Sequence, residues 1–281
     1  ELHFYSRFSV MPAPLLIAAA VAQTTKRIKL GTAVNLVPLH HPIRLAEEVA
    51  ALDVLSGGRA LFGIGRSSIP RHYDGYGIAP EEGRGRFEEG LDLILKAWTN
   101  EELEYRGKYY RVDGVKVVPK PIQQPHPPVY IASNSPETFP MVAMGRHNIL
   151  VTPMIITTDG VLSGLNAYRH TLAEYGHDPS EVKITVNMPA YVARDSKKAK
   201  EGFRDTVNNY LDALRQGDGK SRGSERATTL NYDLIYNELA VIGDPRECVD
   251  KLRGYRETFG NQEKMYRYKA ESVRVVDGDT L

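Results

Sequence analysis

Strand-like and helix-like runs alternate along this chain, and that alternation restricts its fold more than any other feature. Apolar residues recur at helical spacing from Pro14 to about Thr25, and "RIKLGTAV" (27–34) then reads as a buried strand. Pro42 opens a second helix with Ile43, Ala46, Val49, Ala50 and Leu52 on one face, and Gly57-Gly58 end it. "RALFGIG" (59–65) is the next strand, followed by a helix over roughly 82–99 lined by Phe87, Leu91, Ile94, Leu95 and Trp98. The pattern continues with a hairpin at about 103–119, strands at 127–133, 148–152 and 183–193, and helices over about 159–175, 196–215 and 244–260. Such an order implies parallel strands joined by right-handed crossovers. A barrel of eight strand–helix units takes about 250 residues, and 281 residues hold one such domain. An open doubly wound sheet is the alternative. With six or seven strands countable, the expectation is a single (β/α)8 TIM barrel domain over 1–281, with the polar stretch 216–230 as a mobile loop.

Charge and cysteine content remove several function classes. Lys+Arg 36 against Asp+Glu 35 leave a net charge of +1, without the clustered basic face that a nucleic-acid partner requires. Cys248 is the only cysteine, which excludes a disulfide within the chain and a cysteine zinc site, and suits a cytoplasmic protein. The most apolar stretch, "PLLIAAAVA" (14–22), is shorter than the roughly 20 residues a bilayer takes, so no membrane association is expected.

In a barrel of this type, chemistry gathers where strands end and helices begin. "ALFGIGRSS" (60–68) is such an end. Gly63 and Gly65 let the backbone turn and approach a ligand, Arg66 offers a planar fork of donors for phosphate or carboxylate, and Ser67 and Ser68 add further donors. A strand-end turn whose arginine pairs with a surface acid accounts for the stretch equally well. It is neither a dinucleotide fingerprint nor a P-loop. "ASNSPET" (132–138) brackets a helix start with Ser135 and Thr138, with Pro136 at the first helical position. Free N–H groups there suit a phosphate, and plain capping explains the same pattern. Pro140 removes a donor early in that helix and allows a kink. His40 and His41 precede a helix and point to opposite sides of an extended stretch, so one faces the site. No carboxylate stands at a ligand spacing, so no metal is expected; His3 is the other imidazole candidate. Tyr105, Tyr109 and Tyr110, and Met141, Met144 and Met154, read as packing.

Taken in order, "LGTAVNLVPLHHPIRLAEEVAALDVLSGGRALFGIGR" (30–66), "GKYYRV" (107–112), "KPIQQPHPPVYIASNSPET" (120–138) and "AVIGDPRECVDKL" (240–252) make a specific combination. It resembles the bacterial luciferase-like family of flavin-dependent monooxygenases, and the similarity runs from Glu1 to about Gly260. The resemblance implies a luciferase-like (β/α)8 barrel with an insertion. It also implies a chemistry in which reduced FMN, supplied by a separate flavin reductase, reacts with O2 to oxidise an aldehyde, ketone or similar small molecule. By the same resemblance Arg66 holds the FMN phosphate beside Ser67 and Ser68, and Ser135 and Thr138, next to Asn134, supply hydroxyls at a second phosphate-binding helix start. Ala33 and Val34 then lie against the isoalloxazine, joined by a non-prolyl cis peptide, and His3 or His41 assists proton transfer. The family commonly forms homodimers through helices near the early strands.

Three departures accompany the resemblance. The family's Glu-His-His-Phe reads Glu1-Leu2-His3-Phe4 here, so Leu2 occupies the place of the usual acid–base histidine. About one strand–helix unit is expected ahead of Glu1. After Gly260 the charged "NQEKMYRYKAESVRVVDGDTL" stands where a closing strand and amphipathic helix are usual, with "SVRVV" as the one strand-like run. Beside the FMN monooxygenase, two other readings stand: an F420-dependent oxidoreductase of the same fold, and a non-catalytic flavin-binding protein or inactive subunit.

Overall fold

The computed structural model describes residues 1–4, 11–215 and 222–260. The strand-like run "SVRVV" and the first residues of the expected 216–230 loop lie outside the described residues. Helix α1 (Pro14–Thr24) leads into β1, which spans only Leu30–Gly31 of the strand expected at 27–34. The buried Arg59 explains the shortening at one end: its guanidinium donates to Ala22 O, Thr25 Oγ1, Thr25 O and Ile28 O at 2.9–3.1 Å, holding 25–28 in a turn. At the other end Thr32–Val34 leaves the ladder, with the Ala33–Val34 peptide in cis, before β2 (Asn35–Leu36) rejoins it. Helix α2 (Pro42–Ser56) starts on Pro42 and stops at Gly57, whose φ of 65° lets its N–H turn back to the Asp53 and Val54 carbonyls. Its buried face is Leu45, Ala46, Val49 and Ala50.

Strand β3 (Ala60–Gly65) runs parallel to both β1 and β2. Its glycines make room for the neighbouring segment Thr32–Val34, and Gly65 also borders a cleft. A Cβ on Gly63 would stand 1.6 Å from Thr32 O, and one on Gly65 would stand 2.7 Å from Val34 Cγ2. In place of ladder bonds, Thr32 Oγ1 donates to Gly63 O at 2.9 Å and Asn35 Nδ2 donates to Thr32 Oγ1 at 2.8 Å.

The short helix α3 (Pro70–Gly75) and the longer α4 (Gly83–Thr99) follow. Trp98 ties α4 to α2 through Nε1–H to Ala46 O at 2.9 Å. The expected hairpin is present as antiparallel β4 (Leu103–Arg106) and β5 (Arg111–Val115). The Glu89 carboxylate of α4 holds its turn by accepting from the backbone N–H groups of Lys108, Tyr109 and Tyr110. Then come β6 (Val129–Ala132), α5 (Thr138–Met144), β7 (Asn148–Val151), α6 (Thr158–Glu174) and β8 (Ile184–Val186). The sheet order is β1–β3–β6–β7–β8, with β2 also on β3, and every pairing is parallel. Phe62, Ile131, Phe139, Ile149, Leu165 and Tyr168 fill the main core with their side chains fully buried.

The run 183–193 is two strands rather than one. Pro189 has no N–H for a ladder; β8 stays on β7, while β9 (Ala190–Val192) takes a new neighbour. The helix expected over 196–215 is likewise divided, into α7 (Ser196–Gly202) and α8 (Arg204–Arg215). Where a mobile loop was expected at 216–230, Arg222–Thr229 forms helix α9. Arg215 fastens its end, donating to Ala227 O at 3.0 Å and Leu230 O at 2.7 Å. Helix α10 (Tyr232–Leu234) continues as a π-helical turn over Ile235–Leu239 into β10 (Val241–Gly243), which pairs with β9 in parallel. Helix α11 (Pro245–Phe259) completes the described chain. Val207, Leu211, Ala227, Leu230 and Ile235 form a second core that reaches Met154 beyond β7.

The curled parallel sheet with its outer helices is a half-barrel of mixed α/β type, in line with the expected barrel fold. Among the described residues no helix is long and apolar enough to cross a membrane.

Candidate functional site

The strands of a parallel sheet present their C-terminal ends on one side, and the cleft of interest opens there, at the ends of β2, β3 and β6. Its volume is about 260 Å³. One wall is apolar, built from Leu2, Val34, Leu36, Phe87, Ile131, Met141 and Ile155. The polar part of the lining comes from two loops: Arg66, Ser67 and Ser68 arrive from β3, and Asn134, Ser135, Glu137 and Thr138 arrive from β6, with Glu1 also bordering the cleft. The neighbouring registers of β3 and β6, Ile64 beside Ile131, bring these two distant segments together.

The loop after β3 is held from beneath. Ser67 sits in the left-handed region with φ of 69°, and the Tyr73 hydroxyl donates to the carbonyls of Arg66 and Ser67. Burial pushes the Tyr73 phenol up to about 12, so it remains a donor. Arg66 itself is exposed and makes no ion pair with a carboxylate among the described residues. Arg84, in the first turn of α4, borders the same cleft and donates to Glu88 Oε1 at 2.9 Å.

At the second loop the expected helix start is displaced. Helix α5 begins at Thr138 and lacks a side-chain cap, so Pro136 precedes it instead of opening it. Pro140 lies within its first turn. The Ser135 and Thr138 hydroxyls bond each other at 2.7 Å. Capping therefore does not consume them, and the pair shares one hydroxyl proton beyond their mutual bond.

The histidines are placed differently from expectation. Leu2 points into the cleft, while His3 lies behind it, buried against Phe4, His72 and Tyr76. Burial holds the His3 imidazole below its ordinary range, with the Glu1 carboxylate opposing. Of the adjacent pair, His40 turns inward, its Nε2 2.6 Å from Glu1 Oε1; His41 is exposed, edge-on to Tyr110. Glu1 Oε2 accepts from Leu36 N–H at 2.9 Å and lies 3.7 Å from His3 Nε2. Burial raises the Glu1 carboxyl, but His40 and the Leu36 N–H outweigh it and keep it below the usual range. Neither His3 nor His41 borders the cleft. The histidine that does border it is His72 of α3, which sequence reasoning missed. Val34 borders the cleft, whereas Ala33, joined to it by the cis peptide that the family resemblance implied, is exposed and does not. Of the three methionines read as core, Met154 is buried, Met141 borders the cleft and Met144 is exposed. No group of three or more His, Cys, Asp or Glu side chains among the described residues could hold a metal ion.

Arg84 carried a signal that was not used: a cation in the first turn of a helix opposes the helix dipole, and two arginines, Arg84 and Arg86, stand there. His72 carried none, since its significance comes from His3, far away in sequence.

Comparison with known proteins identifies the family and the fold. A family model described as luciferase-like monooxygenase matches residues 1–262. The oxygenase component of a flavin-dependent trigonelline monooxygenase from Acinetobacter baylyi is 27% identical over 275 residues, 93% of this chain and 75% of that protein. Among solved structures, the monooxygenase RslO1 from Streptomyces bottropensis superposes with a TM-score of 0.80 at 28% identity, covering 92% of this chain and 77% of that one. The oxygenating constituent of 3,6-diketocamphane monooxygenase from Pseudomonas putida, solved with FMN, shares the fold at a TM-score of 0.74 and 22% identity, covering 92% and 77%. A coenzyme F420-dependent reductase from Methanopyrus kandleri shares it at 0.66 and 20%, covering 88% and 79%. The chain spans about half the length of two other curated relatives, uncharacterised proteins of Sinorhizobium fredii, covering 43% and 58% of them.

Proposed function

This chain belongs to the luciferase-like monooxygenase family, and from that premise we propose that it acts as the oxygenase component of a two-component flavin-dependent monooxygenase. It takes reduced FMN from a separate reductase and uses O2 to oxidise a small aldehyde- or ketone-like substrate, in the cytoplasm. The observation that carries the reading is the division of the cleft's lining into a group with the Arg66 and Arg84 guanidinium groups and four hydroxyls, and a set of apolar side chains. That division suits a molecule with a phosphate at one end and a large aromatic ring at the other.

Arg66 and Arg84 supply the charge for the phosphate, with Ser67, Ser68, Asn134, Ser135 and Thr138 as hydrogen-bonding partners. Val34 and Ile131 offer the surface for the isoalloxazine. When bound, reduced FMN supplies the electrons that activate O2. The chain's own task is to keep that end dry: Leu2, Leu36, Phe87, Met141 and Ile155 bring no polar group to the apolar wall. Leu2 cannot move a proton, and His3 and His41 lie outside the cleft.

The test is anaerobic titration with reduced FMN, reduced riboflavin and reduced F420, followed by 18O2 and a set of aldehydes and ketones. The expected result is FMN binding, a loss of about tenfold or more in affinity in Arg66→Ala, and one labelled oxygen in the product. Binding of F420 alone would overturn the choice of cofactor. FMN binding without turnover beside a reductase would favour an inactive flavin-binding subunit, the second reading, for which Leu2 in the place of the family histidine is the motivating observation.

The proposal includes a homodimer formed through α1 and α2. Helix α1 is apolar on every side, yet Leu16 is 71% exposed, and Ile17 with Val54 and Leu55 of α2 is exposed near it. Light scattering of Leu16→Glu should report a monomer where the parent chain is a dimer.

A further inference from the structure

We propose that His72 is a positioning residue that makes the Ser67 hydroxyl an obligate hydrogen-bond donor to the anionic end of a ligand. The inference deepens, and rests on, the reading of this end of the cleft as a phosphate site.

The argument is one of hydrogen-bond accounting. His72 is 1% exposed. Its Nε2 accepts the backbone N–H of His3 at 3.2 Å. A ring nitrogen that accepts carries no proton, so the single proton of the neutral imidazole is on Nδ1. Nδ1 stands 3.0 Å from Ser67 Oγ and therefore donates to it. Ser67 Oγ also accepts from the Ile69 N–H at 3.1 Å. A hydroxyl has two acceptor positions and one proton. The protein fills both acceptor positions, leaving Ser67 only its proton to offer, and Ser67 borders the cleft beside Arg66. A phosphate oxygen satisfies that donor; an ammonium or an N–H group does not.

Two further observations fit. Position 67 lies in the left-handed region at φ of 69°, where glycine is the conformationally easy choice, yet the residue is a serine whose oxygen is used twice. The ring is also kept neutral: burial pushes its pKa down to about 4, with the nearby His3 lowering it further and Glu1 opposing. A protonated His72 would turn an Nε2–H against the His3 N–H, so the bonding scheme requires the neutral form.

The experiment measures equilibrium binding of FMN and riboflavin to the full chain and to Ser67→Ala, His72→Leu and His72→Asn, together with 15N NMR of the parent chain. The NMR should find His72 protonated on Nδ1. Ser67→Ala and His72→Leu should each reduce the preference for FMN over riboflavin by about tenfold, with riboflavin affinity unchanged. His72→Asn, whose amide N–H can take the place of Nδ1–H, should restore most of it. A proton on Nε2, or an undiminished FMN preference in both Ser67→Ala and His72→Leu, would overturn the proposal. A parent chain that binds riboflavin as well as FMN would overturn the phosphate reading itself, an outcome distinct from either of those. The NMR result stands even if His72→Leu fails to fold.

Discussion

Two glycines separate the residues this chain can spare from those it cannot. A methyl group at Gly63 would stand 1.6 Å from the Thr32 carbonyl oxygen, a backbone atom that side-chain rearrangement cannot move. Gly63→Ala should cost at least about 3 kcal/mol in a urea unfolding titration. Gly254, in the exposed interior of α11, meets nothing within 4 Å, and Gly254→Ala should gain about 0.5–1 kcal/mol. Histidine protonation is the second prediction at this scale. Burial pushes both His72 and His147 down to about 4, whereas unfolded they titrate near 6.5. Between those values the unfolded chain holds more protons, so stability is full above about pH 6.5 and falls as the pH is lowered. The loss is complete below about pH 4, at most about 3 kcal/mol per histidine. The urea midpoint measured from pH 7 to pH 4 checks the sign, and a midpoint that rises on acidification would contradict it.

Helix and strand ends record how far local chemistry reaches. Helix α2 was legible because Pro42 and Gly57 act within one turn of themselves. The strand break inside 183–193 was equally available, since Pro189 cannot sit in a ladder, but the apolar run around it masked the signal. Helix α9 was not legible: its Gly- and Ser-containing sequence favours a loop, and the contact that anchors it comes from Arg215 of another helix. The same division holds in the cleft. Arg66 and Ser135 follow strands and could be read in place, while the choice between His40 and His41 depended on Glu1, which reaches His40 from the other end of the segment. At the end of α4, Lys120 donates to Ala97 O at 2.6 Å and Asn100 O at 2.7 Å, where the helix dipole favours a cation. Lys120→Met should cost about 1–2 kcal/mol, visible as a lower thermal midpoint with unchanged helical content at 20 °C.

At the scale of the whole molecule, the half-barrel is held by two separate cores. The larger lies under β3, β6 and β7; the smaller gathers α7 to α10 around β10. The ladder changes partner at Pro189, so β8 belongs to one unit and β9 to the other. The polar end of the cleft is built entirely from the first unit, from Arg66 to Thr138. Amide exchange should therefore follow two clocks. The amides of β3, β6 and β7 should exchange only through global opening, and those of β9 and β10 sooner, through a sub-global opening that leaves the phosphate loops closed. A partner change at one proline would thus let the smaller unit breathe while the ligand's anchor stays shut.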